Sequence, residues 1–326
     1  MISSSQNYSV LLVGLGQMGM GYDISVENQN NIRTHAKAIA THEGYNLTCA
    51  VDPSQKQRET FSHNYEAPAY STIEDALAAH EVDIVIISAP SQYHLVSVRT
   101  LLAGRKPQAI LCEKPLGQTV EEAELIVKLC TEAEIPLYVN YIRTSVPGIV
   151  DVKKRLDDKR IASPVRGVIW YSKGFLHNAS HFFQLTEFWL GDFQDARLVS
   201  NGRDVGDGDA EPEVKAVFEK GEVSFIPAWE EHFSHYTVEL LSPNGRLYMA
   251  QRSITWQPVI DDPITASYKY LSDDVETIPT GLEQYQWHVL EQLALNLNGH
   301  ESFICTGEQA LKSLRAMHRI LEMRNS

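Results

Sequence analysis

Paired cysteines, a basic surface and long apolar runs are all missing from this sequence, and each absence narrows what the chain can be. Cys49, Cys112, Cys130 and Cys305 are scattered over 326 residues with no Cys-x-x-Cys pair. That argues against a disulfide framework or a zinc knuckle and fits a reducing cytoplasm. Lys and Arg number 28 against 42 Asp and Glu, a formal charge of -14, which repels nucleic acid and anionic membrane surfaces. One small anion in one pocket stays compatible with that balance. No apolar run approaches the roughly 18 residues of a membrane span. The opening stretch from Met1 to Tyr8 has neither the basic nor the apolar region of a signal peptide. Without such a signal the Asn-x-Ser/Thr sequons at Asn7, Asn46 and Asn178 carry no weight. A hydrophobic fraction of 43% excludes wholesale disorder, and the length suits two domains.

What is present is a change of pattern near Asn140. Before it, short apolar runs alternate with amphipathic stretches, the signature of βαβ units on a parallel sheet. Strands are expected at Tyr8 to Val13, Leu47 to Val51, Ile84 to Ile87, Ala109 to Cys112 and Leu137 to Val139. Helices are expected at His35 to His42, Ile73 to Ala79, Tyr93 to Ala103 and Val120 to Ala133. After Asn140, longer alternating runs are joined by tight turns: Val165 to Tyr171, the pair around Glu219 to Glu222, and the pair around Ser242-Pro-Asn-Gly245. Asn-Gly is a strong hairpin signal. Two helices close the chain, one with Trp287, Leu290, Ala294 and Leu297 on its stripe, one opened by a capping box at Thr306-Gly-Glu-Gln309. The fold class is therefore α/β: a doubly wound parallel sheet in an N-terminal Rossmann domain over residues 1–140, then a C-terminal α/β domain over 141–326 built on a large, mostly antiparallel open sheet. A substrate pocket is expected between them.

Gly14-Leu-Gly16-Gln17-Met18-Gly19 follows the first strand directly. Alone, Gly-x-Gly-x-x-Gly is weak; at the end of a first strand it reads as a dinucleotide loop. Gly14 permits the turn, Gly16 admits the pyrophosphate and Gly19 lets helix pack on strand. Asp52 ends the second strand, where a carboxylate accepts from the adenosine ribose hydroxyls and repels a 2′-phosphate, favouring NAD over NADP. A turn Asp before Pro53 is the plainer alternative. From Gly19 to Asp52 the chain runs 33 residues, against about 20 in the fingerprint. The polar stretch Met20 to Asn31 accounts for the excess and is expected to form a loop beside the cofactor or on the surface.

Several segments together resemble the Gfo/Idh/MocA family of nicotinamide-dependent oxidoreductases: the glycine loop, Ala89-Pro90-Ser-Gln-Tyr-His94, Glu113-Lys114-Pro115, Asn140-Tyr-Ile-Arg143, and His177-Asn178-Ala-Ser-His181 running on to Trp189-Leu-Gly191. The resemblance implies that Gly14, Gly16, Gln17, Met18, Gly19, Asp52, Ala89, Pro90, His94, Glu113 and Lys114 serve the cofactor. It implies catalytic roles for Lys114 and His181, with His177 beside them. Substrate contacts are expected at Arg143, Tyr171, His177, Asn178 and His181. Lys114, at the carboxyl end of a parallel strand, suits stabilisation of a developing alkoxide. His181 suits the proton of the reacting hydroxyl. The family has Asp where this chain has His177, so the fixed negative charge behind His181 is absent from that position. His177 and His181 at i and i+4 lack a third ligand, so no metal is expected. The acidic run Asp204 to Pro212 lacks an EF-hand pattern and reads as a solvated loop.

These readings imply an oxidoreductase moving hydride between nicotinamide and a secondary alcohol or ketone of a sugar or cyclic polyol. The same fold also allows an NAD-binding sensor without turnover, or an enzyme that recycles its NAD internally. The resemblance implies a homodimer or homotetramer, and the sheet of the second domain offers a surface for it.

Overall fold

The computed structural model describes residues 7–24, 30–206, 208–228, 233–265 and 267–325. The chain forms two compact units: one runs to Ser145 and takes in Glu283–Leu311, the other holds Val146–Leu282 and Lys312–Ser326.

The first unit is built on β1 (Tyr8–Val13), β2 (Tyr45–Val51), β3 (Ala69–Tyr70), β4 (Ile84–Ile87), β5 (Ala109–Cys112) and β6 (Leu137–Val139). They form one parallel sheet in the order β3-β2-β1-β4-β5-β6. Helices cover both faces, so β4 and β5 are buried at every residue, which is why they read as unbroken apolar runs. The strand order reverses between β1 and β4, and open α/β sheets bind ligands beyond the carboxyl ends of strands at such a point. Two elements escape the pattern reading. β3 is too short to show a period, and the helix Gln55–Tyr65 buries only Phe61, which is too thin a stripe to detect.

The chain returns to this unit late. The helix Tyr285–Leu297 sets Val289, Leu290 and Leu293 into the same core as Val10, Leu12 and Ile86. The capping box forms as expected: Thr306 N–H donates to Gln309 Oε1 at 3.0 Å, and Gln309 N–H to Thr306 Oγ1 at 3.3 Å.

The second unit carries β7 (Val165–Tyr171), β8 (Phe193–Ser200), the hairpin of β9 (Asp204–Gly206) and β10 (Asp209–Ala210), then β11 (Glu213–Phe218), β12 (Gly221–Pro227), β13 (Thr237–Ser242), β14 (Gly245–Ala250), β15 (Ser253–Asp261), β16 (Lys269–Leu271) and β17 (Glu276–Ile278). All but the β9–β10 hairpin join one nine-stranded sheet. It is mostly antiparallel, with β7 and β12 as a parallel pair at its centre. Alternation along β7 buries Val165, Ile169 and Tyr171 and exposes Arg166 and Trp170. In the β13–β14 hairpin Gly245 pairs with Ser242, so Pro243 and Asn244 make the turn. The helix Pro147–Asp157 opens on a proline, which a first helical turn accepts because its N–H needs no intrahelical partner.

Candidate active site

The loop after β1 is shaped by its glycines. Gly14 has φ +94°, a conformation that side chains rarely adopt. A Cβ there would lie 2.5 Å from the Ala89 nitrogen, so the loops after β1 and β4 touch through their backbones. Ser88 Oγ secures them by donating to Gly14 O at 2.6 Å. At Gly16 the surroundings are open, for a Cβ would meet nothing within 4 Å. A π-type turn, Gln17–Gly21, follows without a side-chain cap, which leaves its first N–H groups available as anion donors. Buried Gly19 packs against the Gly14 carbonyl, where a Cβ would collide.

Asp52 takes the turn role weighed for it and adds a contact to the glycine loop. Oδ2 accepts from Leu15 N–H and Oδ1 from Ser54 N–H, each at 2.8 Å. The carboxylate thus closes the turn at Pro53 and braces the glycine loop, and each oxygen keeps a second lone pair for a ribose hydroxyl. The residues present fit a dinucleotide: an open glycine, uncapped donors and a strand-end carboxylate.

The stretch Met20 to Asn31 is not a plain loop in its described part. Met20 and Gly21 complete the π-type turn, and Tyr22–Ile24 is helical; residues 25–29 lie outside the described residues. Asp23 ties the segment back, its Oδ2 accepting from Arg33 N–H, Thr34 N–H and Thr34 Oγ1, each at 2.8 Å.

Glu113, Lys114 and Pro115 follow β5 directly. Lys114 is half-buried, whereas Glu113 is 9% exposed and sits in a polar cluster. His35 Nε2 lies 2.8 Å from Glu113 Oε1, and Asn140 Nδ2 donates to the same oxygen at 2.7 Å. Burial alone would push the Glu113 carboxyl up; the His35 hydrogen bond and charge, the Asn140 hydrogen bond and the Lys114 charge outweigh it and hold the group below its usual range. Sequence reading missed His35 and Gln286, because neither segment carries a motif.

His94 does not face a cofactor ribose. It is 1% exposed, with Nε2 2.9 Å from Ala89 O and Nδ1 3.2 Å from Leu116 O. Its ring clamps the loop after β4, with half-buried Ala89 and exposed Pro90, to the loop after β5. Arg143 is half-buried in the short turn Ile142–Ser145.

In the second unit the described segment Lys173 to Leu190 carries the histidines. Lys173 and Gly174 are both left-handed, at φ 65° and 85°. A π-type turn Gly174–Ala179 then runs into the helix Ser180–Leu190. His177 is exposed and His181 half-buried. Asn178 Nδ2 donates to Ser172 O at 2.8 Å, which ties that amide to its own turn. Tyr171 is 0% exposed and its hydroxyl donates to Pro212 O at 2.6 Å, so it belongs to the domain core and not to a pocket wall.

The acidic run after β8 is no solvated loop. Asp209 and Glu211 are buried and cap the histidine segment. Asp209 Oδ1 accepts from Phe175 N–H at 3.0 Å and Leu176 N–H at 2.9 Å, and Oδ2 from His177 N–H at 2.9 Å. Glu211 Oε1 accepts from Gly174 N–H at 3.2 Å, while Oε2 pairs with Arg203 at 2.7 Å. Calcium-loop spacing was the wrong frame for these residues; the useful signal is a pair of acids beside short strands, which read only as polarity.

Further along the same helix, burial pushes the Glu187 carboxyl up to about 6, against the Ser313 hydrogen bond and the Lys312 charge. The folded chain therefore keeps a proton there that the unfolded chain has already released. This contribution is whole below the unfolded pKa near 4.5 and is lost as pH rises through about 6, a decline on the order of 2 kcal/mol. Urea unfolding of wild type and Glu187→Gln between about pH 4 and 8 should show the variant gaining relative stability across that window; parallel profiles would remove Glu187 as the cause.

Residues 9–141 match the GFO_IDH_MocA family model, an oxidoreductase family with an NAD-binding Rossmann fold. The rhizopine catabolism protein MocA of Rhizobium meliloti is 32% identical over 149 residues, covering 46% of this chain and 41% of that protein. Over these residues the chain is similar to the Gfo/Idh/MocA family. An inositol 2-dehydrogenase of Rhizobium meliloti is 26% identical over 174 residues, 49% of this chain and 52% of the relative. The match to these curated Gfo/Idh/MocA proteins thus spans about half their length or less. Among solved structures, the aldose-aldose oxidoreductase of Caulobacter crescentus superposes with TM-score 0.76 at 17% identity, covering 98% of each chain. An oxidoreductase from Agrobacterium radiobacter, solved with NAD+, L-tartaric acid and magnesium, gives 0.74 at 16%. At such identity the likeness shows the fold alone, and it extends over the second unit, which the family model does not reach.

Proposed function

We propose that the chain is an NAD-dependent dehydrogenase acting on a secondary alcohol, or the matching ketone, of a sugar-like or cyclic polyol substrate. The observation that carries this reading is Lys114, half-buried at the carboxyl end of β5 beside a Glu113 held ionised, in a domain of the NAD-binding family. Bound nicotinamide supplies the hydride acceptor or donor. Gly14, Gly16, Gln17, Met18, Gly19 and Asp52 would hold the dinucleotide. Lys114 donates to the substrate oxygen and stabilises the charge that develops on it. His181 takes the hydroxyl proton in oxidation and returns it in reduction. Arg143, Asn178 and His177 are assigned to substrate contact. Polyol substrates are supported by the inositol dehydrogenase among the relatives. Self-association is assigned to the exposed face of the second sheet, where Trp170 and Leu241 are 41% and 50% exposed. The cytoplasm is the proposed location, in keeping with four buried cysteines outside any disulfide among the described residues.

The test is NADH absorbance on mixing the protein and NAD+ with myo-inositol, D-xylose, sugar acids and nucleotide sugars. A signal identifies the substrate class. Tight NADH binding with no signal supports the second reading, a sensor without turnover, which the exposed His177 in place of an acid favours. Cofactor choice has its own check: Asp52→Ala should weaken NADH about tenfold more than NADPH, since the lost bracing of the glycine loop falls on both cofactors while NADPH alone is relieved of a repulsive charge. Equal loss for both cofactors in a fluorescence titration would take the selectivity away from Asp52.

A further inference from the structure

The cluster at Glu113 draws on four separate segments, and only one of them is part of the Glu-Lys-Pro motif. His35 opens the helix His35–Thr41, Asn140 follows β6, and Gln286 lies in the helix Tyr285–Leu297. His35, Asn140 and Gln286 are each 1% exposed. Asn140 Nδ2 donates both to Glu113 Oε1 at 2.7 Å and to Gln286 Oε1 at 3.1 Å. Its own Oδ1 is buried with no hydrogen-bond partner among the described residues. The amide is thus turned to serve its neighbours as a donor while its acceptor goes unmet, an arrangement that costs stability and that a purely structural cluster has no reason to keep. The second carboxylate oxygen of Glu113 accepts the Lys114 N–H at 3.2 Å, so whatever fixes the carboxylate also fixes the peptide from which the Lys114 side chain leaves.

We propose that His35, with Asn140, is a positioning residue that holds the Glu113 carboxylate in place against Lys114. The inference rests on the reading of Lys114 given above and adds to it the group that keeps the lysine's anionic neighbour fixed. His35 supplies a hydrogen bond to Oε1 and, when protonated, an ion pair as well. The other titratable groups facing Glu113 are Lys114, the Tyr285 hydroxyl and the Cys112 thiol. Burial pushes those last two up, and the Glu113 charge adds to the effect, so near neutrality they stay neutral. Without the His35 donor, burial dominates at Glu113 and its proton is released at higher pH.

Turnover of the panel compound that wild type oxidises fastest, followed between about pH 5 and 9, tests this. In His35→Ala, kcat relative to wild type should fall about a further tenfold as pH drops from about 7.5 to 6, over and above the acid limb that protonation of His181 gives both proteins, with KM changed less than about twofold. His35→Gln, whose amide can donate where Nε2 did, should restore kcat to within about threefold. A His35→Ala profile that is the wild-type curve scaled by one factor would make His35 a packing residue and overturn the inference. A second arm needs no substrate: acetic anhydride labelling of Lys114 in the full chain, read by peptide mass spectrometry. Glu113→Gln should lower the pH midpoint of that labelling by about one unit, because a negative neighbour is gone. It also carries the test if His35→Ala does not fold. An unmoved midpoint overturns the inference whatever the turnover. A moved midpoint in a protein that oxidises nothing in the panel supports the cluster and overturns the dehydrogenase reading instead.

Discussion

Lys114→Ala should lower kcat by about 10²- to 10³-fold while the Kd for NADH changes less than about threefold. The asymmetry follows from where the charge is needed. In the proposed reading the dinucleotide is held by the glycine loop and Asp52, both on the β1–β2 side of the sheet. Lys114 leaves the end of β5, across the strand-order reversal from them. In the proposed reaction its ammonium acts on the substrate oxygen, which is nearly neutral in the ground state and carries developing negative charge at the transition state, so binding loses little and the chemical step loses much. Lys114→Arg should recover only a small part of the loss, because a planar fork on a longer stem cannot place a point charge at the same spot. Stopped-flow hydride transfer beside an NADH titration separates the two quantities. Unchanged turnover in Lys114→Ala would take the lysine out of the mechanism, and with it the main support for dehydrogenase chemistry.

The sequence showed the parts of this molecule whose physics is local. Buried parallel strands must be apolar on both faces, so Ile84–Ile87 and Ala109–Cys112 were readable to the residue. The Thr306 box was readable because both of its hydrogen bonds close within three residues. The glycine loop had a fixed spacing, and the strand before it supplied the context. What stayed hidden depends on partners far apart in the chain. His35 and Glu113 are separated by 78 residues, and Asn140 and Gln286 by 146; no window on one segment displays such a pair. His94 and Tyr171 show the converse error. Each lies next to a motif, and each has its polar atoms held by backbone carbonyls of its own unit. Proximity in sequence suggested a ligand contact that the folded hydrogen bonding does not leave open.

Asp209 gives the second large effect, and it too comes from a long-range contact. The histidine segment begins with two left-handed residues, Lys173 and Gly174, so its first N–H groups cannot be satisfied by a preceding turn of helix. A carboxylate from β10 meets three of them. Asp209→Ala should leave those donors without that acceptor, at a cost on the order of 3 kcal/mol. That corresponds to a Tm lower by roughly 10 °C in a unit of this size. Turnover should fall further than stability requires, by about a hundredfold at a temperature where the variant is fully folded, since a small misplacement of a catalytic group is expensive. Asp209→Asn keeps one acceptor oxygen and turns an N–H group toward the other donors, so it should fall between wild type and Asp209→Ala in both measurements. Calorimetry and NADH-linked turnover on the same samples decide the point. A variant that melts early yet turns over normally when folded would show that Asp209 secures the second unit without setting His177 and His181. A loss of turnover beyond the loss of fold would assign to this acid, supplied from a distant strand, the anchoring that the resemblance leads one to expect from an aspartate at position 177.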